Sequence, residues 1–401
     1  MATGADASLA TLAAAIQEAK PRGLVDLYLE RVADTAWELE GGTVVGCRTL
    51  LREAAAARFR GLLRSADGIT RLALAEILGI PGRAVPPVTL PPFPATPELA
   101  CLSPGTLGAV RTVRVRSRWA AVLARGDLRV LGGPALCELT LPDGQRTLTT
   151  WPPPADLPLP PPPTSGRAAP DPGPVCCLLA PPAAAALLHE AVGHALEGDT
   201  LVQPGRRPAL HPGTPVTDAA FDVVDDPTRA ELPGAYWADD EGTPAHPTVL
   251  VRAGSVAGLL ADREVAERCG VPAGNARRSS AHAWPRPRVS NLVVTAREAP
   301  STPCREGAHI EVASVRAGAF EPLTGELRLL VRSAWALRGG RRVRPLGPFV
   351  LAGQAERVLA GMRPAGPPAA TGEPGWCGKA GDMVPVGAVT PWLVVSGLEV
   401  R

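Results

Sequence analysis

Lysine is nearly missing from this 401-residue chain: Lys20 and Lys379 are its two lysines, and the remaining positive charge is arginine. With the alanine and proline richness, that skew marks codon usage rather than chemistry. Neither sign of charge is in excess. The 41 basic and 39 acidic residues leave a net of +2, which disfavours a general nucleic-acid binder with its concentrated basic surface. Aromatic residues make up only 4% of the chain, and no stacking set accompanies its one arginine stripe, Arg111, Arg114, Arg116 and Arg118. The alternation of that stripe with Val113 and Val115 is what any half-exposed strand displays. No CxxC pair occurs among the eight cysteines, so neither a thioredoxin-like site nor a zinc ribbon is indicated, and eight in so long a chain do not make a disulfide scaffold. Long apolar runs are also lacking. The longest, 175–188, is broken by Pro181-Pro182 and is too short to span a bilayer. Residues 1–20 carry Asp6 and Glu18 and no basic region ahead of an apolar stretch, unlike a signal peptide. The expectation is a reduced, cytoplasmic protein away from membranes.

Hydrophobic residues at 45% and charged residues at 20% describe a globular chain long enough for two or three domains. Residues 8–78 are expected to be mainly helical. Leu9, Leu12, Ala15 and Ile16 recur at helical spacing, as do Leu24, Leu27, Leu29 and Val32, and 50–64 is rich in good helix formers. Recurrent proline makes 80–104 a connection. Strands are expected at 112–119 and at 137–141 and 146–150, around the turn Pro142-Asp143-Gly144. Eleven prolines in the 23 residues 152–174 form neither helix nor central strand and predict an extended linker, preferred over an SH3-type ligand because a new domain follows directly. Beyond it, 175–199 is apolar and then helical. The remainder is mostly antiparallel strand, at 248–251, 256–260, 291–294, 327–337, 342–345 and 393–400. The fold class is thus α+β: a helix-bearing N-terminal domain (1–151), the linker (152–174) and a β-rich C-terminal domain (175–401).

Chemistry concentrates in His189-Glu190-Ala191-Val192-Gly193-His194. Two histidines bracket a glutamate as in HExxH zinc peptidases, with one residue more between them. On a regular helix, residues four apart lie about 40° apart around the axis, and residues five apart about 140°. His189 and His194 therefore grip one metal only if a π-type turn inserts a residue, and Gly193 sits where the backbone must yield. Glu190 would then stand beside the metal as a general base. The same pattern also fits a helix with two ordinary histidines and a solvated glutamate. A catalytic zinc wants a third protein ligand. The candidates are Cys176, Cys177, Glu197, Asp199, His211, His246, His282, His309 and a distant cysteine, with Cys377 notable in its glycine-rich loop. Cys176-Cys177, in an apolar run, is expected to be packed rather than reactive.

With the following Leu196-Glu197-Gly198-Asp199, this segment resembles the HExxxHxxEGD signature of the TldD/PmbA metalloprotease family. Similar in turn to successive family motifs are Val223-Val224-Asp225-Asp226-Pro227, Asp239-Asp240-Glu241-Gly242-Thr243-Pro244 and Leu260-Ala261-Asp262-Arg263. So are Pro272-Ala273-Gly274-Asn275-Ala276-Arg277-Arg278 and Pro287-Arg288-Val289-Ser290-Asn291. Cys377-Gly378-Lys379-Ala380-Gly381-Asp382-Met383-Val384-Pro385-Val386-Gly387 resembles the C-terminal CGKxGQxVPVG motif. The resemblance covers roughly 173–401. It implies His189, His194 and Cys377 as ligands of one zinc (iron is the alternative), Glu190 as general base, and Glu197 or Asp199 as carboxylates behind the ligands. Arg263, Asn275 and Arg277 recur in the motifs as substrate anchors or as structural hydrogen-bonders. It also implies a metal-bearing TldD-type subunit paired with a metal-free TldE/PmbA-like paralogue, or with a second copy. Such a pair encloses a site that cleaves unfolded peptides held as extended strands, in peptide-antibiotic maturation and antitoxin turnover. The chain is shorter than usual for the family, its first 150 residues match poorly, and Asp382 and Val389 depart from the pattern. The expected function is that of a zinc-dependent peptidase, and the alternative is a non-catalytic scaffold or peptide-binding subunit.

Overall fold

A computed structural model describes residues 4–19, 21–93, 97–154, 159, 163–166, 168–202, 210–217, 221–296 and 299–401. The fold is α+β, built on two sheets. The first is antiparallel and holds Leu24–Glu40 (β1), Thr43–Phe59 (β2), Leu62–Asp67 (β3), Thr112–Ala124 (β4), Asp127–Leu131 (β5), Leu136–Thr140 (β6) and Arg146–Thr150 (β7). Its order is β3-β2-β1-β4-β6-β7, with β5 on β4.

The helical expectation for 8–78 therefore holds only at its ends, in helices Gly4–Ala19 and Arg71–Leu78; residues between them form a β-meander. The physical reason is burial on both faces. Leu27, Leu29, Ala55 and Ala57 pack with Leu9, Leu12 and Leu74 from the two helices. Tyr28, Ala54 and Ala56 point the other way, toward Ala238 and Ala281 of the C-terminal region. A strand covered on both faces loses its apolar-polar alternation, so good helix formers there read as helix.

The side of β1 that carries Tyr28 also carries a row of acids, and arginines from neighbouring strands meet them. Asp26 pairs with Arg58, Glu30 with Arg118, and Asp34 with both Arg114 and Arg116. Arg114, Arg116 and Arg118 of the arginine stripe thus lie along a row of buried carboxylates, while Arg111 is exposed.

The second sheet contains Gly173–Leu179 (β8), Phe221–Asp225 (β9), Thr248–Arg252 (β10), Ser255–Val256 (β11), Asn291–Ala296 (β14), Ile310–Glu321 (β15) and Glu326–Arg338 (β16). Arg341–Leu346 (β17), Phe349–Gln354 (β18), Met362–Lys379 (β19) and Asp382–Val400 (β20) complete it, and Ala276–Arg277 (β12) with Arg286–Pro287 (β13) forms a separate small ladder. Pairings β8–β15, β15–β16, β16–β18, β18–β20 and β20–β8 close a five-strand ring. Two contacts, β8–β15 and β14–β20, are parallel, against the otherwise antiparallel pattern. Helix Pro181–Leu188 packs on β15, β19 and β20, its side chains in the main apolar core.

Of the proline tract 152–174, residues 155–158, 160–162 and 167 lie outside the described residues. Thr164 Oγ1 donates to Leu346 O at 2.5 Å, so 163–166 lies along the second sheet. No helix among the described residues is long and apolar enough to cross a membrane.

Candidate metal centre

Strand β8 runs into Pro181-Pro182, which occupy the first helical turn, where a missing N–H costs nothing. The helix then widens. Residues His189–Gly193 form a π-helical turn, and the His194 N–H donates to the His189 carbonyl across five residues. A short 3₁₀ turn, His194–Leu196, follows. The extra residue in the turn returns the two imidazoles to one side, their ring centroids 4.7 Å apart and edge to face. Gly193 contributes differently from the sequence expectation. Its φ of −55° is ordinary for a helix, so no permissive backbone is used. Room is what it provides, since a Cβ there would stand 2.7 Å from Val289 Cγ2.

Cys377, on β19, completes the group. Its Sγ lies 3.4 Å from His194 Nε2, and the donor atoms of His189, His194 and Cys377 all fall within 4.8 Å of one another. Both ring nitrogens of His189 are buried with no hydrogen-bond partner among the described residues. Zinc–nitrogen and zinc–sulfur bonds of about 2.1 and 2.3 Å put tetrahedral donor atoms roughly 3.4–3.6 Å apart. The 3.4 Å between Cys377 Sγ and His194 Nε2 matches that spacing, and two imidazole nitrogens with one thiolate suit zinc in chemistry.

Groups behind these donors hold them in place. Glu197 is buried and accepts from His194 Nδ1 at 3.1 Å and from Lys379 Nζ at 2.7 Å. That contact assigns Nδ1 the proton and turns Nε2 toward Cys377. Lys379 also reaches Asp199 at 2.7 Å. Buried Arg288 donates to Cys377 O and, at 3.1 Å, to its Sγ. Burial opposes every charge here, and the partners outweigh it in three cases. The two imidazoles hold the Cys377 thiol well below the ordinary cysteine range. Glu197 and Cys377 hold His194 well above the usual histidine range. Against its burial, His194 and Lys379 keep Glu197 down at about 2. For Glu190 burial prevails, raising its carboxyl despite both histidines.

Glu190 lies against β15, where a Cβ on Gly318 would stand 2.4 Å from Oε1. On that strand 316–319 is exposed, and β8 pairs only with Ile310, Glu311 and Val312. No described strand covers the same edge further along, so it runs free past Glu190. A cavity of about 870 Å³ opens there, lined by Gly318, Phe320, Thr147, Glu373, Trp376 and the ligand group. Both sheets contribute walls.

The other residues expected at the site stand elsewhere. Asn275 is a buried hub, accepting from Ala261 N at 3.0 Å and donating to Asp225 at 3.3 Å. Arg263 gives its backbone N–H to Glu241, and Arg277 donates to Val289 O over the Tyr236 ring. His211 and His246 bond neighbouring carbonyls, His282 bonds Ser65 and Asp67, and His309 accepts from Cys176 N, so none of them joins the ligand group. Cys177 is core, its thiol pushed up by burial. Sequence reasoning assigned no role to Arg288, Lys379 or Gly318. The first two lie within the quoted motifs, but nothing in the chain marks Gly318.

The model of the PmbA/TldA metallopeptidase C-terminal domain matches residues 172–401. A metalloprotease of Archaeoglobus fulgidus is 30% identical over 208 residues, 51% of this chain and 48% of its own length. A metalloprotease TldD homolog of Haemophilus influenzae is 30% identical over 225 residues, 53% and 45% respectively. The chain thus spans about half the length of the curated relatives it matches. In fold it is similar to TldE from Thermococcus kodakarensis, with a TM-score of 0.67 over 98% of this chain and 100% of that one, at 16% identity. With more than half its length in the family's C-terminal domain and the HExxxH turn and distant cysteine joined in one group, the chain belongs to the TldD/PmbA family of metallopeptidases.

Proposed function

We propose that this chain is a TldD-type peptidase that uses one zinc ion, held by His189, His194 and Cys377, to cleave unfolded peptides lying as extended strands in the cavity. The observation that carries the reading is the convergence of three donors, one of them a histidine whose buried nitrogens have no other partner, beside a buried carboxylate. When bound, zinc supplies Lewis acidity, polarising a carbonyl and making water acidic near pH 7. Glu190 takes a proton from the attacking water and delivers it to the leaving amine. The free edge of β15 supports the substrate mode, because it offers unpaired backbone donors and acceptors to an added strand next to Glu190. Glu197 and Arg288 act on orientation, fixing the His194 tautomer and the Cys377 rotamer.

A partner, either a metal-free TldE/PmbA-like paralogue or a second copy, is part of this reading. Residues 43–52 of β2 extend beyond the reach of β3 and expose Val44, Val45, Leu50 and Leu51 on its two faces, which suits an edge covered by a partner. The likeness to TldE favours a competing reading, a non-catalytic scaffold or peptide-binding subunit. Against it, a scaffold has no physical need for His189, Glu190, His194 and Cys377 together. Cleavage of an unstructured polypeptide, stopped by a chelator and restored by zinc, separates the two. Glu190→Ala should keep the metal and abolish cleavage; a variant that still cleaves would remove Glu190 from the mechanism.

A further inference from the structure

A second cavity, of about 1050 Å³, adjoins the first, between the Tyr28 side of the first sheet and the C-terminal loops. Glu138, Arg146, Trp376 and Met383 line both, so the two spaces meet at the residue preceding Cys377. Arg278 lines the second cavity in an unusual state. It is 2% exposed, its backbone N–H bonds Asp240, and its Nε, Nη1 and Nη2 have no acceptor among the described residues. The guanidinium lies 4.3 Å over the Tyr28 ring, which offers a π face and no lone-pair acceptor for the fork of N–H groups.

Nearby carboxylates do not make up the shortfall, because other donors already hold them. Glu30 accepts from Arg118 at 3.2 Å and from Ala281 N at 3.1 Å. Asp240 takes Arg118 at 2.9 Å, and Glu138 takes the Trp376 indole at 2.6 Å. Arg114 and Arg116 share one carboxylate, that of Asp34, at 2.6 and 3.1 Å. Arg116 also lies 5.7 Å from the Trp376 ring, at the junction of the cavities. Glu53, Asp67 and Asp239 also line this wall, so the want of acceptors is particular to Arg278, and a buried charged group without hydrogen bonds is a costly arrangement unless something else supplies them.

We infer that the second cavity is a recognition subsite for a carboxylate of the bound peptide, an acidic side chain or the chain terminus, read by Arg278 and Arg116. A peptide laid along β15 past Glu190 continues by Trp376 into this space. The subsite would make the enzyme select acidic peptides, with the planar fork of arginine matching a carboxylate in two contacts. The inference rests on the peptidase reading for its ligand class but not on cleavage for its test.

Fluorescent unstructured peptides are titrated against the zinc-supplied full chain at 0.15 M salt and followed by anisotropy. One contains Asp and Glu, and its counterpart has Asn and Gln at the same positions; each is made with a free and an amidated C-terminus. The acidic peptide should bind about ten-fold tighter, the worth of one charge-assisted hydrogen bond. That preference should fall to within about two-fold in Arg278→Met and in Arg116→Gln, and should survive in the charge-matched control Arg341→Gln. If Arg278→Met does not fold, Arg116→Gln decides, since Asp34 keeps Arg114 there. A preference that follows the amidation state assigns the site to the chain terminus, and one that ignores it assigns acidic side chains. Equal binding of acidic and neutral peptides, a preference kept by the folded variants, or one lost equally in Arg341→Gln overturns the inference. Absence of cleavage in the same samples would count against the peptidase reading alone.

Discussion

Glu197 touches no expected bond-making atom, yet its removal should be felt at the metal. Its Oε2 accepts from His194 Nδ1 at 3.1 Å and from Lys379 at 2.7 Å, and Arg288 Nε lies 3.9 Å from Oε1. Glu197→Gln retains an oxygen for the Nδ1 proton but loses the charge that strengthens the bond. Glu197→Ala leaves Nδ1 without an acceptor and frees the ring to take the other tautomer. Groups behind a metal ligand typically change affinity by about 10–100-fold when lost. We assign the lower figure to Gln and the upper to Ala, or about 1.4 and 2.7 kcal/mol. Collapse of the site is not expected, because Lys379 keeps Asp199 at 2.7 Å and Arg288 keeps Cys377 at 3.1 Å. Competition for zinc against a chromophoric chelator, at fixed pH and with circular dichroism to establish folding, reads the effect. A folded Glu197→Ala protein that binds zinc within two-fold of the unsubstituted chain would refute the argument that this carboxylate orients His194.

Gly318→Ala should keep zinc but lower kcat by about 10²-fold, because a Cβ 2.4 Å from Glu190 Oε1 forces the base off its position; unchanged turnover would show that Glu190 tolerates the shift. Gly193→Ala places a methyl 2.7 Å from Val289 Cγ2 and should cost about 1–3 kcal/mol in urea unfolding, as overpacking does; a loss under about 0.5 kcal/mol would contradict it. Burial raises Asp225 to about 6, against 3.8 as its ordinary value. The folded state therefore holds a proton that the unfolded state releases, and this contribution to stability falls as pH rises from about 4 to about 7. Asp225 alone should lower stability by about 1 kcal/mol between pH 5 and 7. Urea unfolding at both pH values should show a smaller difference for Asp225→Asn; an unchanged difference would dismiss Asp225 as its source.

The fold was legible where local chemistry decides the outcome. Pro142-Asp143-Gly144 marks a hairpin that forms between Leu136–Thr140 and Arg146–Thr150, and the five-residue spacing of His189 and His194 requires the π turn that is present. Strands β1 and β2 of the first sheet were not legible, because Ala54 and Ala56 meet one core and Ala55 and Ala57 another, leaving no period-2 signal in the sequence. At Gly193 backbone freedom is visible in the residue type, whereas the crowding by Val289 that requires glycine is a property of the fold. For Asn275 the motif leaves substrate anchor and structural hydrogen-bonder both open, and the fold engages its side chain with Ala261, Asp225 and Thr248. Arg288 and Arg278 carry no local mark of burial, since a sequence window does not report which arginines the fold encloses. Cys377, 183 residues from His194, was reached by resemblance rather than by spacing.

Zinc stoichiometry tests the central claim most directly. Elemental analysis of the purified chain, after zinc is supplied and excess removed, is compared with His194→Ala and Cys377→Ser proteins that remain folded. The account predicts about one zinc per chain, lost or strongly reduced in both variants. A chain that retains no zinc when supplied with it, or variants that hold as much as the parent, would contradict the assignment of His189, His194 and Cys377 as a metal centre.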